Sequence, residues 1–236
     1  MIIYLILLIM IIFSCKHIKE IHKFNYEAVL EQIQNTNKEL IFEKLKERKP
    51  LLIHNLANKN DNLLNLSFKT LNKNNPGYII YDDNKYISLK SFDKKNIDNI
   101  FIYKNRDIVD HFNLTNDFDV IYEKFKSDIH FNKRYNLSLL KGNNSISCIQ
   151  NKRNLYLFYQ IHGESNLYLI NPKHENDILN KSNNEIKKYA HKINISSGIV
   201  LYIPIQWYFF FETSEDSIIG EIESDNIFTF IYNELR

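Results

Sequence analysis

The sequence predicts a mainly β protein, an antiparallel core behind a helical lead-in, and three observations point to it. Residues 155–170 read LYLFYQIHGESNLYLI, two apolar runs joined at Gly163, with Pro172 closing the second. Residues 199–211 read IVLYIPIQWYFFF, an apolar run broken at Pro204 and resumed as an almost wholly aromatic one. Residues 218–222 and 227–232 alternate with a period near two and read as closing strands. Short runs rich in Ile, Tyr and Phe, punctuated by Gly and Pro, are the pattern of half-buried strands and tight turns.

The chain opens with MIIYLILLIMIIFSC, which carries no charge. Fifteen residues fall short of the ~20 that a spanning helix needs and suit the apolar core of a signal peptide. No Lys or Arg precedes the run, and Ile12-Phe13-Ser14 is a poor cleavage site, so an uncleaved signal anchor stands beside the cleaved peptide. A lipidated Cys15 and a buried N-terminal strand or helix complete the readings. Lys16, Lys19 and Lys23 would hold the downstream side in the cytosol; a cleaved peptide would instead deliver the chain to a lumen. The expectation is membrane association or the secretory pathway.

Residues 16–49 form the helical lead-in. Apolar Ala28, Val29, Leu30 and Ile33 predict a short helix over 25–34, and residues 40–45 predict a second that stops before Pro50. Residues 50–56 then read as an opening strand, and 63–73 as a helix. Residues 78–81 and 86–89 flank the polar Asp82-Asp83-Asn84 as a hairpin, with a strand over 99–103. Helices are predicted over 106–112 and 117–125; Phe118, Ile121, Tyr122 and Phe125 lie at helical spacing and read as core. Residues 135–140 return as a strand, 142–147 as a loop, and 173–192 as a polar excursion with a short helix near 184–190. Glu221, Glu223 and Asp225 read as edge or solvent positions on the closing strand.

Composition excludes more than it identifies. A net charge of +2 gives no electrostatic footprint for nucleic acid. The cysteines are Cys15 and Cys148, so the folded part has no disulfide framework. Sequons at Asn65, Asn113, Asn136, Asn143 and Asn194 matter only if the chain enters a lumen, and abundant Asn produces such matches by chance. No phosphate-binding Gly-rich loop or CxxC pair is present.

Two motifs carry a family resemblance. Gln160, Ile161, Gly163, Leu169 and Pro172 form a Q-I-x-G-x-x-x-x-x-L-x-x-P pattern, and Gly198, Leu201, Tyr202, Ile203, Pro204 and Trp207 follow as a second. In this order they resemble the JmjC/cupin-like iron- and 2-oxoglutarate-dependent oxygenases, over residues 50–236. The resemblance implies a double-stranded β-helix, or jelly roll, with a metal between two facing sheets.

It also implies where the chemistry should sit, and there the chain departs from the pattern. The two positions of the first metal motif fall on Gln150 and Lys152, the distal histidine on Phe209, and the lysine that holds the co-substrate carboxylate on Ser165. Fe(II) of this type needs two imidazoles and one carboxylate. An amide is a poor ligand, an ammonium repels the cation, and a phenyl ring has no lone pair to give. A displaced site would have to use His162, Glu164 and His174 or His191. The expectation is therefore a non-catalytic relative without metal or cofactor, acting by protein or ligand binding and reaching a membrane through its leader. The alternatives are an active Fe(II)/2-oxoglutarate hydroxylase or demethylase with a displaced metal, and an unrelated membrane-anchored structural protein.

Overall fold

The computed structural model describes residues 2–21, 30–34, 37–56, 62–82, 85–93, 100–126 and 131–234. Helix α1 (Ile2–Ile21) is followed by strand β1 (Glu31–Ile33), α2 (Lys38–Lys46), β2 (Leu51–Ile53) and α3 (Phe68–Asn74). The hairpin β3 (Ile79–Asp82) and β4 (Lys85–Ser88) leads to β5 (Ile100–Asn105), α4 (Arg106–His111) and α5 (Thr115–Phe125). Then come β6 (Phe131–Lys141), β7 (Asn144–Ser145), β8 (Ile149–Gln150), β9 (Leu155–His162) and β10 (Glu164–Ile170). The chain closes with α6 (Glu175–Ile178), α7 (Asn183–Ile186), β11 (Ala190–Ser196), β12 (Val200–Tyr202), β13 (Tyr208–Thr213), β14 (Ser217–Asp225) and α8 (Ile227–Glu234).

The protein is mainly β. One sheet runs β1-β2-β12-β9-β14-β6-β5; the other runs β11-β10-β13-β7, with β8 also paired to β13. All these ladders are antiparallel except β1 with β2. Side chains alternate across a strand, and β9 shows the result. Leu155, Leu157, Tyr159 and Ile161 face a core shared with Phe118, Ile121, Tyr122 and Phe125 of α5. Tyr156 and Phe158 face the second core, with Leu167, Leu169, Phe209 and Phe211 of the smaller sheet. The larger sheet is therefore covered on both faces, by helices on one side and by the second sheet on the other. Gly163 turns β9 into β10 at φ 73°, and a Cβ there would collide with the backbone oxygen of Asp216, so both conformation and space require glycine.

Several expectations are corrected. The helix over 25–34 falls partly outside the described residues, and its end is strand β1, recruited by parallel pairing to β2. The helix over 63–73 is a 3-10 turn, Leu63–Asn65, and then α3, because Ser67 and Thr70 form a capping box that starts a new helix. The excursion over 173–192 ends early, since β11 begins at Ala190 and pairs along all of β10. The closing strand over 227–232 is helix α8, started by Asn226, whose Oδ1 accepts from Thr229 N at 2.8 Å.

The acidic residues of β14 are the largest correction. Glu221 and Asp225 are fully buried and Glu223 is 6 % exposed. They are not at an edge, because β14 lies between β9 and β6. For the leader, the apolar side chains described between Ile3 and Phe13 are exposed, so the buried-element reading does not hold. Among the described residues no helix is long and apolar enough to cross a membrane.

Candidate functional site

Gln150 and Lys152, neighbours on one segment, and Phe209, far along the chain from them, line one pocket of about 360 Å³. They share its wall with Lys104, Arg134, Arg153, Tyr156, Glu223 and Asn233, among others. The volume is within the ~300–1,000 Å³ of small-molecule sites.

A turn and a clamp position the first wall. Gln206 is left-handed, at φ 73°, in the Pro204–Trp207 turn. Its backbone N–H donates to Asn151 O at 2.7 Å, and its side-chain oxygen accepts from Gln150 Nε2 at 2.9 Å. Asn151 is buried and donates through Nδ2 to Ile203 O at 2.8 Å, while its Oδ1 accepts from Arg153 N at 2.8 Å. This amide ties the segment that carries Gln150, Lys152 and Arg153 to the turn that launches β13. Phe209, fully buried on β13, sets its ring 5.1 Å from that of Tyr156 and fills the inter-sheet space with hydrocarbon. Lys152 is exposed, which keeps its ammonium in water.

Charge forms the second wall. Lys104 sits where the β5–β6 register shifts between Ile102 and Asn105, with φ 52°, and its N–H donates to Ser138 Oγ at 3.0 Å. This bulge aims its ammonium at Glu223 (2.6 Å) and Glu221 (3.0 Å), 4.7 Å over the Tyr156 ring. Arg153 pairs with Glu223 at 3.2 Å and Asp225 at 2.7 Å. Two cations and three carboxylates thus interlock.

Protonation follows from burial. Desolvation raises Glu221 above the usual carboxylate range, against the pull of Lys104. Desolvation likewise raises Asp225, against Arg153. Lys104 is held above its ordinary value: burial works against its charge, and Glu221 and Glu223 outweigh it. The Tyr156 hydroxyl, raised by burial and then by Glu221, donates to Glu221 Oε2 at 2.6 Å. Glu221 Oε1 and the Tyr103 hydroxyl are buried without a hydrogen-bond partner among the described residues.

Ser165 is elsewhere. It is buried and donates to Gln160 Oε1 at 2.8 Å, while Gln160 Nε2 donates to His162 O at 2.7 Å. Its position on β10 is four residues from Leu169, the cross-strand partner of Phe209, or roughly 13 Å at strand spacing. The displaced-metal set also fails to converge. His162 and Glu164 flank the turn into β10, while His174 follows the far end of that strand and His191 pairs opposite Leu169. Strand length separates the two pairs by roughly 20 Å. His174 contacts Asp177 at 3.0 Å. Among the described residues no three His, Cys, Asp or Glu side chains group as a metal site, and the side chains at positions 150, 152 and 209 do not fit iron.

Lys104, Arg134, Arg153, Tyr156 and the acids of β14 are the site residues that sequence reasoning missed. The available signal was the E-x-E-x-D alternation at 221–225, since period-two acids inside an apolar strand need cationic partners wherever that strand is central. No protein-family model and no curated protein matches the chain.

Proposed function

We propose that the chain is a non-catalytic relative of the JmjC/cupin-like oxygenases. In this reading a double-stranded β-helix keeps the pocket and has exchanged its metal ligands for Gln150, Lys152 and Phe209. The observation that carries it is the meeting of these three positions, identified by motif spacing alone, around one pocket. The strand orders support it: β6, β9, β12 and β14 belong to the larger sheet and β7, β8, β10, β11 and β13 to the smaller, so the chain winds back and forth between two sheets. The pocket then serves binding rather than turnover, with a protein or small molecule as partner. The apolar segment Ile2–Cys15 brings the domain to a membrane or into the secretory pathway.

The full-length chain, purified in mild detergent, tests this. It is loaded anaerobically with Fe(II), freed of loose metal, then supplied with 2-oxoglutarate and oxygen; bound iron and succinate are measured. The expected result is no retained iron and no succinate. Stoichiometric iron with succinate release would overturn the proposal and establish an active oxygenase.

A further inference from the structure

Arg134 and Glu223 are cross-strand partners on β6 and β14, yet they form no ion pair. Glu223 is already held between Lys104 and Arg153. Arg134 is oriented instead by Asn132, whose Oδ1 accepts from its Nε at 3.2 Å. Arg134 and Lys152 both line the pocket and make no salt bridge among the described residues. A second property comes from the amides. Gln150 Nε2 is committed to Gln206, and Asn233 Nδ2 to Lys152 O at 2.8 Å. Each amide oxygen is left to accept, beside the carboxylates of Glu223 and Glu234.

The pocket therefore presents two kinds of demand. Two cations without carboxylate partners call for an oxyanion. A row of acceptors calls for hydroxyl donors. At about 30 Å³ per water in the liquid, 360 Å³ is room for about a dozen such volumes, the scale of a single sugar unit. The deeper cations are already occupied: Lys104 pairs with Glu223 and Glu221, and Arg153 with Glu223 and Asp225. Glu234 is the one lining carboxylate outside that set, against Arg134 and Lys152.

We propose that this pocket binds a small polyhydroxylated oxyanion, a sugar phosphate or a sugar acid, with Arg134 and Lys152 on the anionic group and Gln150, Asn233 and Glu223 accepting from hydroxyls. The proposal rests on the non-catalytic reading above and names the ligand class for its pocket.

Isothermal titration of the full-length chain in mild detergent at low salt tests it, with glucose 6-phosphate, glucuronate, glucose and inorganic phosphate as probes. One or both sugar anions are expected to bind saturably, and the tighter one identifies phosphate or carboxylate as the anionic group. Glucose should bind at least about tenfold more weakly, as should the sugar anion to Arg134→Gln, because a hydrogen-bonded charge is lost in each case. Lys152→Gln should weaken binding in the same direction, with the thermal midpoint of both variants unchanged. Absence of saturable binding by either sugar anion would overturn the proposal. So would unchanged affinity in the double variant Arg134→Gln/Lys152→Gln, glucose binding as tightly as the anions, or inorganic phosphate doing so. Bound iron with succinate release would instead remove the reading beneath it, so the two failures are distinguishable.

Discussion

Lys104 places its ammonium 2.6 Å from the carboxylate of Glu223, a residue 119 positions further along the chain. This contact fastens the bulged edge strand β5 to the central strand β14 across the intervening β6. Its significance is in what surrounds it: Glu221 is fully buried and Glu223 nearly so, and Lys104 is the only cation within 4 Å of Glu221 among the described residues.

Removing that cation should be costly. Among the described residues, Lys104→Met leaves Glu223 with Arg153 as its one cation and Glu221 with none, and breaking a buried pair typically destabilises by about 3–5 kcal/mol. Urea unfolding is expected to show a loss of this size. The double variant K104M/E223Q should recover part of it, since the lost partner no longer leaves a charge behind.

Glu221 should make stability depend on pH in the direction opposite to a paired surface acid. Its folded value is raised by desolvation above the ordinary 4.5, so the folded state binds the proton more tightly than the unfolded chain does. Stability from this group is fully present below 4.5 and declines as pH rises from there through the folded value. Glu221→Gln, neutral at every pH, should remove that decline. Unfolding curves for the two proteins from pH 4 upward should therefore diverge with rising pH, the variant becoming relatively more stable. Parallel curves would show that Glu221 is ionised in the fold.

Phe209 should behave as core. Its ring is fully buried and packs against Tyr156. Phe209→Ala is expected to cost about 3–5 kcal/mol through lost burial and the cavity left behind, read as a lower denaturation midpoint with an unchanged m-value.

Gly220 should not tolerate a methyl group. A Cβ there would meet Phe118 Cε1 at 2.7 Å and Ile161 Cδ1 at 3.0 Å. Both belong to the core beneath the helices, where neighbours leave little room to shift. Gly220→Ala is expected to destabilise by about 1–3 kcal/mol, whereas Gly77→Ala, whose Cβ would meet nothing within 4 Å, should not overpack its surroundings.

Local chemistry made much of the fold legible. The aromatic and β-branched runs of β9, β10, β12 and β13 declared themselves, and so did the α5 stripe of Phe118, Ile121, Tyr122 and Phe125, all buried as expected. The sequence was silent on which strand lies in the middle of a sheet. Glu221 and Glu223 look like solvent positions until β6 and β9 are known to flank β14. Lys104 was missed by one residue, because the strand expected over 99–103 continues through a bulge to Asn105. Residues 227–232 show the ambiguity of a short apolar run, which fits a strand or a helix face equally; Asn226 was the capping signal that decides it. For the site, the three positions singled out by motif spacing, Gln150, Lys152 and Phe209, line one pocket, while the charges that give the pocket its character come from pairings between distant segments.

Those distant pairings also set how the molecule must be made. Ile53 waits for Val200, and Arg134 for Glu223, so much of the larger sheet cannot assemble until the last third of the chain is available. Folding that depends on such long loop closures is slow. Until β10 pairs with it, the run from Tyr208 to Phe211 is the kind of uncharged aromatic segment that associates with copies of itself. Glu212, directly after it, is a charge placed where it can discourage that association. Refolding yield should therefore fall with protein concentration well before native stability becomes limiting.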